Sequence, residues 1–200
     1  MSDPDLFDVV HRQRACRAFS ADPVDDALLA RVLDAATFAP SAENKQPWEF
    51  VVVRDAAARA ALGDLTARAW EGGGRAFSEG RLSAGLLADV EAGATGGVAG
   101  APVTIVACAD TARGLAQTVP SSMFPAIQNL LLAATALGLG SALTTITTGF
   151  VAELRALLGL PETVLPVALV PLGWPARPLG PPRRESFSLH THRERFGEAW

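Results

Sequence analysis

From Phe124 to Leu139 the chain carries almost nothing but apolar side chains, with Gln128, Asn129 and Thr135 the exceptions. A helix with so little polar circumference has to be covered nearly all round, either by the rest of its own fold or by a second copy of the chain. The spacing therefore predicts a central helix over 124–139, with the other elements in layers around it. Gly138-Leu139-Gly140-Ser141 breaks this helix, and the β-prone run Ala142 to Ile146 is expected to follow as a strand.

Three further runs read as strands: Glu49 to Val53, Val103 to Ala109 and Leu165 to Leu172. The second shows no alternation of polar and apolar residues, so both of its faces should be covered. Helices are expected over 5–15, through Leu6, Val9 and Val10, and over 23–38, with Asp22 as cap, Pro23 in first position and Leu28, Leu29, Val32, Leu33 and Ala36 on one face. Two more are expected over 55–70 and over 151–158, the latter closed by Gly159 ahead of Pro161. Residues 72–100 are rich in glycine and alanine, which predicts a mobile excursion with one or two short helices, either a lid or a surface insertion. The tail 176–200 keeps Phe187, Leu189, Phe196 and Trp200 and is expected to pack on a partner subunit. No repeat or linker divides the chain, so 1–200 reads as a single domain.

Several functions are disfavoured. The net charge is −4 and the 17 basic residues are scattered, which leaves no basic face for nucleic acid. No apolar run approaches the ~20 residues of a membrane helix, and Met1 to Asp5 lacks the features of a signal peptide, so the expectation is a cytoplasmic protein. Cys16 and Cys108 are isolated, which fits a reducing compartment. Cys16 lies between Arg14 and Arg17, which would depress its pKa, although the position equally suits a small apolar residue. The histidines, His11, His190 and His192, have no carboxylate or cysteine at ligand spacing, so no metal site is expected. No nucleophile motif is present, and Gly138 to Leu143 lacks the third glycine and the preceding strand of a dinucleotide fingerprint.

What remains is a polar loop and scattered arginines. Between Pro40 and Pro47, both of which stiffen the backbone, the hydroxyl of Ser41 and the amides of Asn44 and Gln46 would be presented to a planar polar ligand. An ordinary turn after a helix is the plain alternative. Arg14 and Arg17 are three apart and on a helix would share a face able to hold a phosphate; Arg183 and Arg184 add charge from the far end of the chain. Together these parts would suit a phosphorylated planar cofactor.

Four stretches, in order, resemble the nitroreductase family of flavin-dependent oxidoreductases. They are Arg14 to Phe19, Ala39 to Trp48, Gln128 to Ala134 running into Gly138 to Ser141, and Pro171 to Pro175 with Arg183-Arg184 beyond. The resemblance implies an α+β fold, a central, mostly antiparallel sheet flanked by helices, in an intertwined homodimer whose C-terminal segment reaches across to the partner, with two FMN sites at its interface. By that likeness Arg14, Arg17 and Arg183 or Arg184 hold the phosphate or pyrimidine edge of FMN, Leu143 and Thr144 lie along the ring, and Pro40, Ser41, Asn44 and Gln46 come from the opposite subunit. Ala15 stands where many members carry a serine, and Glu43 where glycine is common. The implied activity is ping-pong transfer from NADH or NADPH to a small nitroaromatic, quinone or other electron-poor acceptor, with no catalytic side chain. The alternatives are a flavin-binding or flavin-sequestering protein without turnover, or a specialised chemistry such as flavin fragmentation or reductive dehalogenation.

Overall fold

A computed structural model describes residues 4–200. The chain opens with α1 (Leu6–Arg12), capped by Asp5, and then α2 (Asp26–Thr37). Asp25 rather than Asp22 caps α2, its carboxylate accepting the Leu28 N–H at 2.8 Å, while Asp22 takes the Ser20 hydroxyl at 2.8 Å. The helix starts three residues later than its sequence pattern indicates because Val24 is drawn into the core, 1% exposed, and its carbonyl is held by Arg54. Strand β1 (Trp48–Val53) follows, then α3 (Ala56–Ala69), capped by Asp55.

The glycine-rich excursion is more helical than its composition implies. A wide π-helical turn at Trp70–Gly74 leads to α4 (Arg75–Ser78) and then α5 (Ala84–Ala92), and a second wide turn at Gly93–Gly97 leads to α6 (Val98–Gly100). Both ends are anchored, because Trp70, Ala94 and Val98 are buried. The middle is not: Phe77 and Leu86 are exposed.

Strand β2 (Val103–Asp110) leads to α7 (Val119–Ala136), which begins five residues before the apolar run, with Pro120 in its first turn. Strand β3 (Gly140–Ser141), α8 (Val151–Leu158) and β4 (Val164–Gly173) complete the sheet, and Gly159 ends α8 at φ 65° as a left-handed C-cap. The strand order is β1-β2-β4-β3 and every pair is antiparallel, with an irregularity in register at Ala107/Cys108.

The strand expected over 142–146 does not form. The Pro171 carbonyl accepts the Ala142 N–H at 3.3 Å, but a proline has no N–H to return. Only Thr144 rejoins β4, exchanging both hydrogen bonds with Leu169 at 2.9 Å, before the chain turns into a short 3-10 helix at Ile146–Gly149.

Both sheet faces are covered, as the unbroken apolar character of β2 requires. Val103, Ile105, Ala107 and Ala109 pack with α2 and α7, while Val106 and Cys108 join Leu62, Leu65, Val98 and Leu154 on the other side. In α7, Met123, Ala126, Ile127, Leu130 and Ala134 are wholly buried. Phe124 and Gln128, one turn apart, stay exposed, so within one chain a strip of the central helix is left open. The tail 176–200 folds on itself: His192 pairs with Ala199, and the Phe187 ring meets Trp200 edge-on at 6.3 Å. No helix among the described residues is long and apolar enough to cross a membrane.

Leu130 is wholly buried in the layer that α2 and α7 form against the sheet. Leu130→Ala should lower unfolding free energy by about 2–5 kcal/mol, read as a fall in the urea midpoint with the m-value unchanged.

Candidate functional site

Beyond α1 the chain runs extended along the open edge of the sheet. Ala15 bridges Ser141 in parallel, Cys16 donates its N–H to the Ser141 carbonyl at 2.9 Å, and Ser20 donates to Trp174 at 2.9 Å. Arg14 and Arg17 therefore do not share a helix face; the helix that would have carried them ends at Arg12. They converge by another route. The turn Gly93–Gly97 crosses over Arg17 so closely that a Cβ on Gly93 would lie 2.5 Å from the Arg17 Cδ, and one on Gly97 2.9 Å from the Arg17 carbonyl oxygen. A larger residue at Gly97 would have to push the backbone of this segment away, and one at Gly93 would displace the Arg17 side chain.

Between that turn and residues 142–146 lies a cleft of about 420 Å3. Trp70, Phe77 and Val90 form one wall, and Leu143, Thr144 and Ile146 the other. Arg17 is the only charged side chain in its lining. Burial pulls the Arg17 guanidinium below its ordinary pKa, and the charge of Asp89 acts against that shift.

Arg17 also lines a smaller pocket of about 180 Å3, together with Arg14, Cys16, Asp89 and Arg177. Arg14 donates to the Gly180 carbonyl at 3.0 Å, and Arg177 stands 3.7 Å from Asp89. Sequence reading missed Arg177, because it sits among prolines and glycines with no pattern to mark it. Arg183 and Arg184 line neither cavity; Arg184 donates to the Arg183 carbonyl at 2.9 Å.

The polar loop lies elsewhere. Pro40, Asn44 and Gln46 are exposed, and the Ser41 hydroxyl accepts the Gln46 N–H at 3.0 Å. The Gln46 amide donates to Asn44 at 3.2 Å, and the Ala42 N–H reaches the Ser122 hydroxyl of α7 at 3.1 Å. Glu43, Asn44 and Gln46 have left-handed φ angles of 52°, 54° and 49°. That backbone explains why glycine suits the position of Glu43. The loop opens on a separate cavity of about 430 Å3 that shares no lining residue with the cleft. One chain thus holds both halves of the expected site without joining them.

The family model described as the nitroreductase family matches residues 10–174. The chain belongs to the nitroreductase family. A protein of Thermus thermophilus named NADH dehydrogenase is 34% identical over 180 residues, which cover 82% of this chain and 84% of that protein. The 5,6-dimethylbenzimidazole synthase of Rhodospirillum rubrum is 33% identical over 195 residues, covering 90% of this chain and 87% of the synthase. Among solved structures, a Desulfovibrio desulfuricans chain described as a nitroreductase in complex with FMN superposes with a TM-score of 0.73 at 25% identity, covering 98% of this chain and 99% of that one. These relations bear out the α+β nitroreductase fold. The cavities of this nitroreductase-family chain also fit a flavin nucleotide: three guanidinium groups beside a small pocket suit a phosphate, and the uncharged walls of the adjoining cleft suit a planar ring.

Cys16 is not an activated thiol. Burial pushes its pKa up, outweighing the Ala18 carbonyl contact and the nearby arginines. Burial likewise pushes the Cys108 thiol up to about 12. Both thiols should be inert to Ellman's reagent at pH 8 in the native protein and should react together in denaturant. The sign for stability follows: above pH 9 the unfolded chain loses the Cys108 proton while the folded chain keeps it, so unfolding free energy should fall by about 1 kcal/mol per pH unit towards pH 12. Urea midpoints measured from pH 8 to pH 11 check this against Cys108→Ala, which should remove the Cys108 share of the fall and leave the smaller share of Cys16.

Proposed function

We propose that this FMN-dependent oxidoreductase passes reducing equivalents from NADH or NADPH to nitroaromatic, quinone or other electron-poor acceptors. Donor and acceptor use the one cleft in turn, and the working unit is a homodimer in which each chain completes the other's site. The observation that carries this reading is the separation in one chain of two half-sites: the cation-lined cleft and the amide-bearing loop. The open strip of α7 at Phe124 and Gln128 and the exposed aromatic tail supply apolar surface for the second copy.

In this reading FMN supplies the hydride acceptance and return that no side chain can provide. Arg14 and Arg17, with Arg183 or Arg184, hold its phosphate or pyrimidine edge. Arg17, the one charge in the cleft, sets a positive potential along one edge of the bound ring and so favours electron gain there. Leu143 and Thr144 form a flat rail, fixed by the paired hydrogen bonds between Thr144 and Leu169 at 2.9 Å. Trp70 and Val98, both buried, exclude water from the opposite side. Pro40, Ser41, Asn44 and Gln46 of the second copy close the site. The cleft lining contains no carboxylate, histidine or thiol, so the chain contributes orientation rather than proton transfer. The synthase from Rhodospirillum rubrum supports a second reading, a specialised flavin chemistry in the same cleft.

The purified protein should be yellow, release FMN on denaturation, bleach with NADH or NADPH and regain colour with menadione. A colourless protein that cannot be reconstituted would overturn the proposal, and bound flavin without NAD(P)H consumption would favour storage over turnover. The shared site has its own test. Arg17→Ala, and separately Asn44→Ala with Gln46→Ala, should each weaken FMN binding by about 10- to 100-fold, the worth of one or two charge-assisted hydrogen bonds. Co-refolding the two variants should restore one sound site per mixed dimer, and no recovery in a verified mixed dimer would rule out sites built from two chains.

A further inference from the structure

The smaller pocket contains an ion pair whose acid the flavin reading leaves without a role. Its charged lining is Arg14, Arg17, Arg177 and a single acid, Asp89. Asp89 belongs to α5 and stands 3.7 Å from the Arg177 Nη2; it also acts through space on Arg17. The next acid on α5, Glu91, is taken up elsewhere, by Arg75 and by the Trp70 indole N–H. Arg177 reaches the pocket from the start of the tail, directly after Ala176, which donates its N–H to the Ala18 carbonyl at 3.0 Å. Tail, excursion and amino-terminal arginines therefore meet at one ion pair. Both partners keep access to water, with side chains 74% and 49% exposed, so the pair can exchange for a stronger one.

We propose that Arg177 is a third ligand for the phosphate monoester of the cofactor, held in reserve by Asp89, and that the phosphate displaces Asp89 on binding. The inference rests on the FMN reading above and adds to it which cation closes the phosphate subsite and which acid tunes it. A phosphate dianion offers a planar guanidinium two oxygens and twice the charge of a carboxylate, so it outcompetes Asp89 for Arg177. The displaced carboxylate then repels the dianion nearby, so Asp89 tempers affinity for FMN and leaves riboflavin, which lacks the phosphate, unaffected. Because Asp89 is the α5 end of the pair, loading the cofactor also frees α5 from the tail.

The test is a titration of the flavin-stripped full-length protein with FMN and with riboflavin, followed by flavin fluorescence. Asp89→Asn should tighten FMN about tenfold and Arg177→Ala should weaken it about tenfold, with riboflavin unchanged in both. In the Arg177→Ala background the gain from Asp89→Asn should shrink. Hydrogen exchange of the amides of Ala84–Ala92 should rise when FMN binds and stay level with riboflavin. Equal effects on FMN and riboflavin, a weaker FMN complex for Asp89→Asn, or an effect seen only with NADPH over NADH would each overturn the proposal. Should neither flavin bind the wild-type protein, the FMN reading fails on its own; inorganic phosphate then decides the pocket, since it must raise the melting temperature of wild type more than that of Arg177→Ala.

Discussion

Partial burial of the Arg17 guanidinium is the constraint on which the site turns. A cation withdrawn from water loses solvation that must be recovered from negative charge. The carboxylate that acts on Arg17, Asp89, is paired with Arg177 instead. Arg17 is thus left with positive potential directed into two cavities, one of which it shares with Arg14 and Arg177. Its position follows from backbone geometry: the edge bonds of residues 15–20 to Ser141 and Trp174 fix the segment, and Gly93 and Gly97 let the excursion pass directly over it.

Those glycines change how the excursion is understood. In sequence they lower helix propensity and suggest a loose insertion. In space the chain stays largely helical through two wide turns, and the second turn places Gly93 and Gly97 where a Cβ would strike Arg17. The composition reflects close approach to the Arg17 side chain and backbone as well as loss of helix. Contact of this kind between residues some 80 positions apart leaves no local periodicity to read.

Much of the architecture was legible because it depends on local pattern. The apolar run of α7, the non-alternating β2 and the Gly159 cap each state their environment within a few residues. The departures arise where distant partners decide. Asp22 and Asp25 are equally good caps, and burial of Val24 selects the second. Ala142 to Ile146 has strand propensity, but the missing N–H of Pro171 interrupts its ladder. Arg14 and Arg17 were read as helical neighbours although α1 stops at Arg12, and they meet Arg177 by tertiary packing alone. The family resemblance reaches beyond local pattern, since it implies that the loop 40–47 and the arginines serve one site, whereas within one chain they line separate cavities.

The loop itself supplies the strongest physical support for a site made by two chains. Of the four non-glycine residues with left-handed φ among the described residues, three are Glu43, Asn44 and Gln46. Each such conformation costs on the order of 1 kcal/mol. The hydrogen bonds from Gln46 to Ser41 and Asn44 offset part of that cost, yet they tie together side chains that remain largely open to water, where such bonds stabilise least. Within one chain the strain gains nothing further, since the loop faces a cavity that the cation-lined cleft does not reach. A loop already held in the shape a ligand requires pays little entropy when that ligand arrives. Strain kept on an exposed loop is therefore the expected signature of preorganisation for a ligand that another copy of the chain presents.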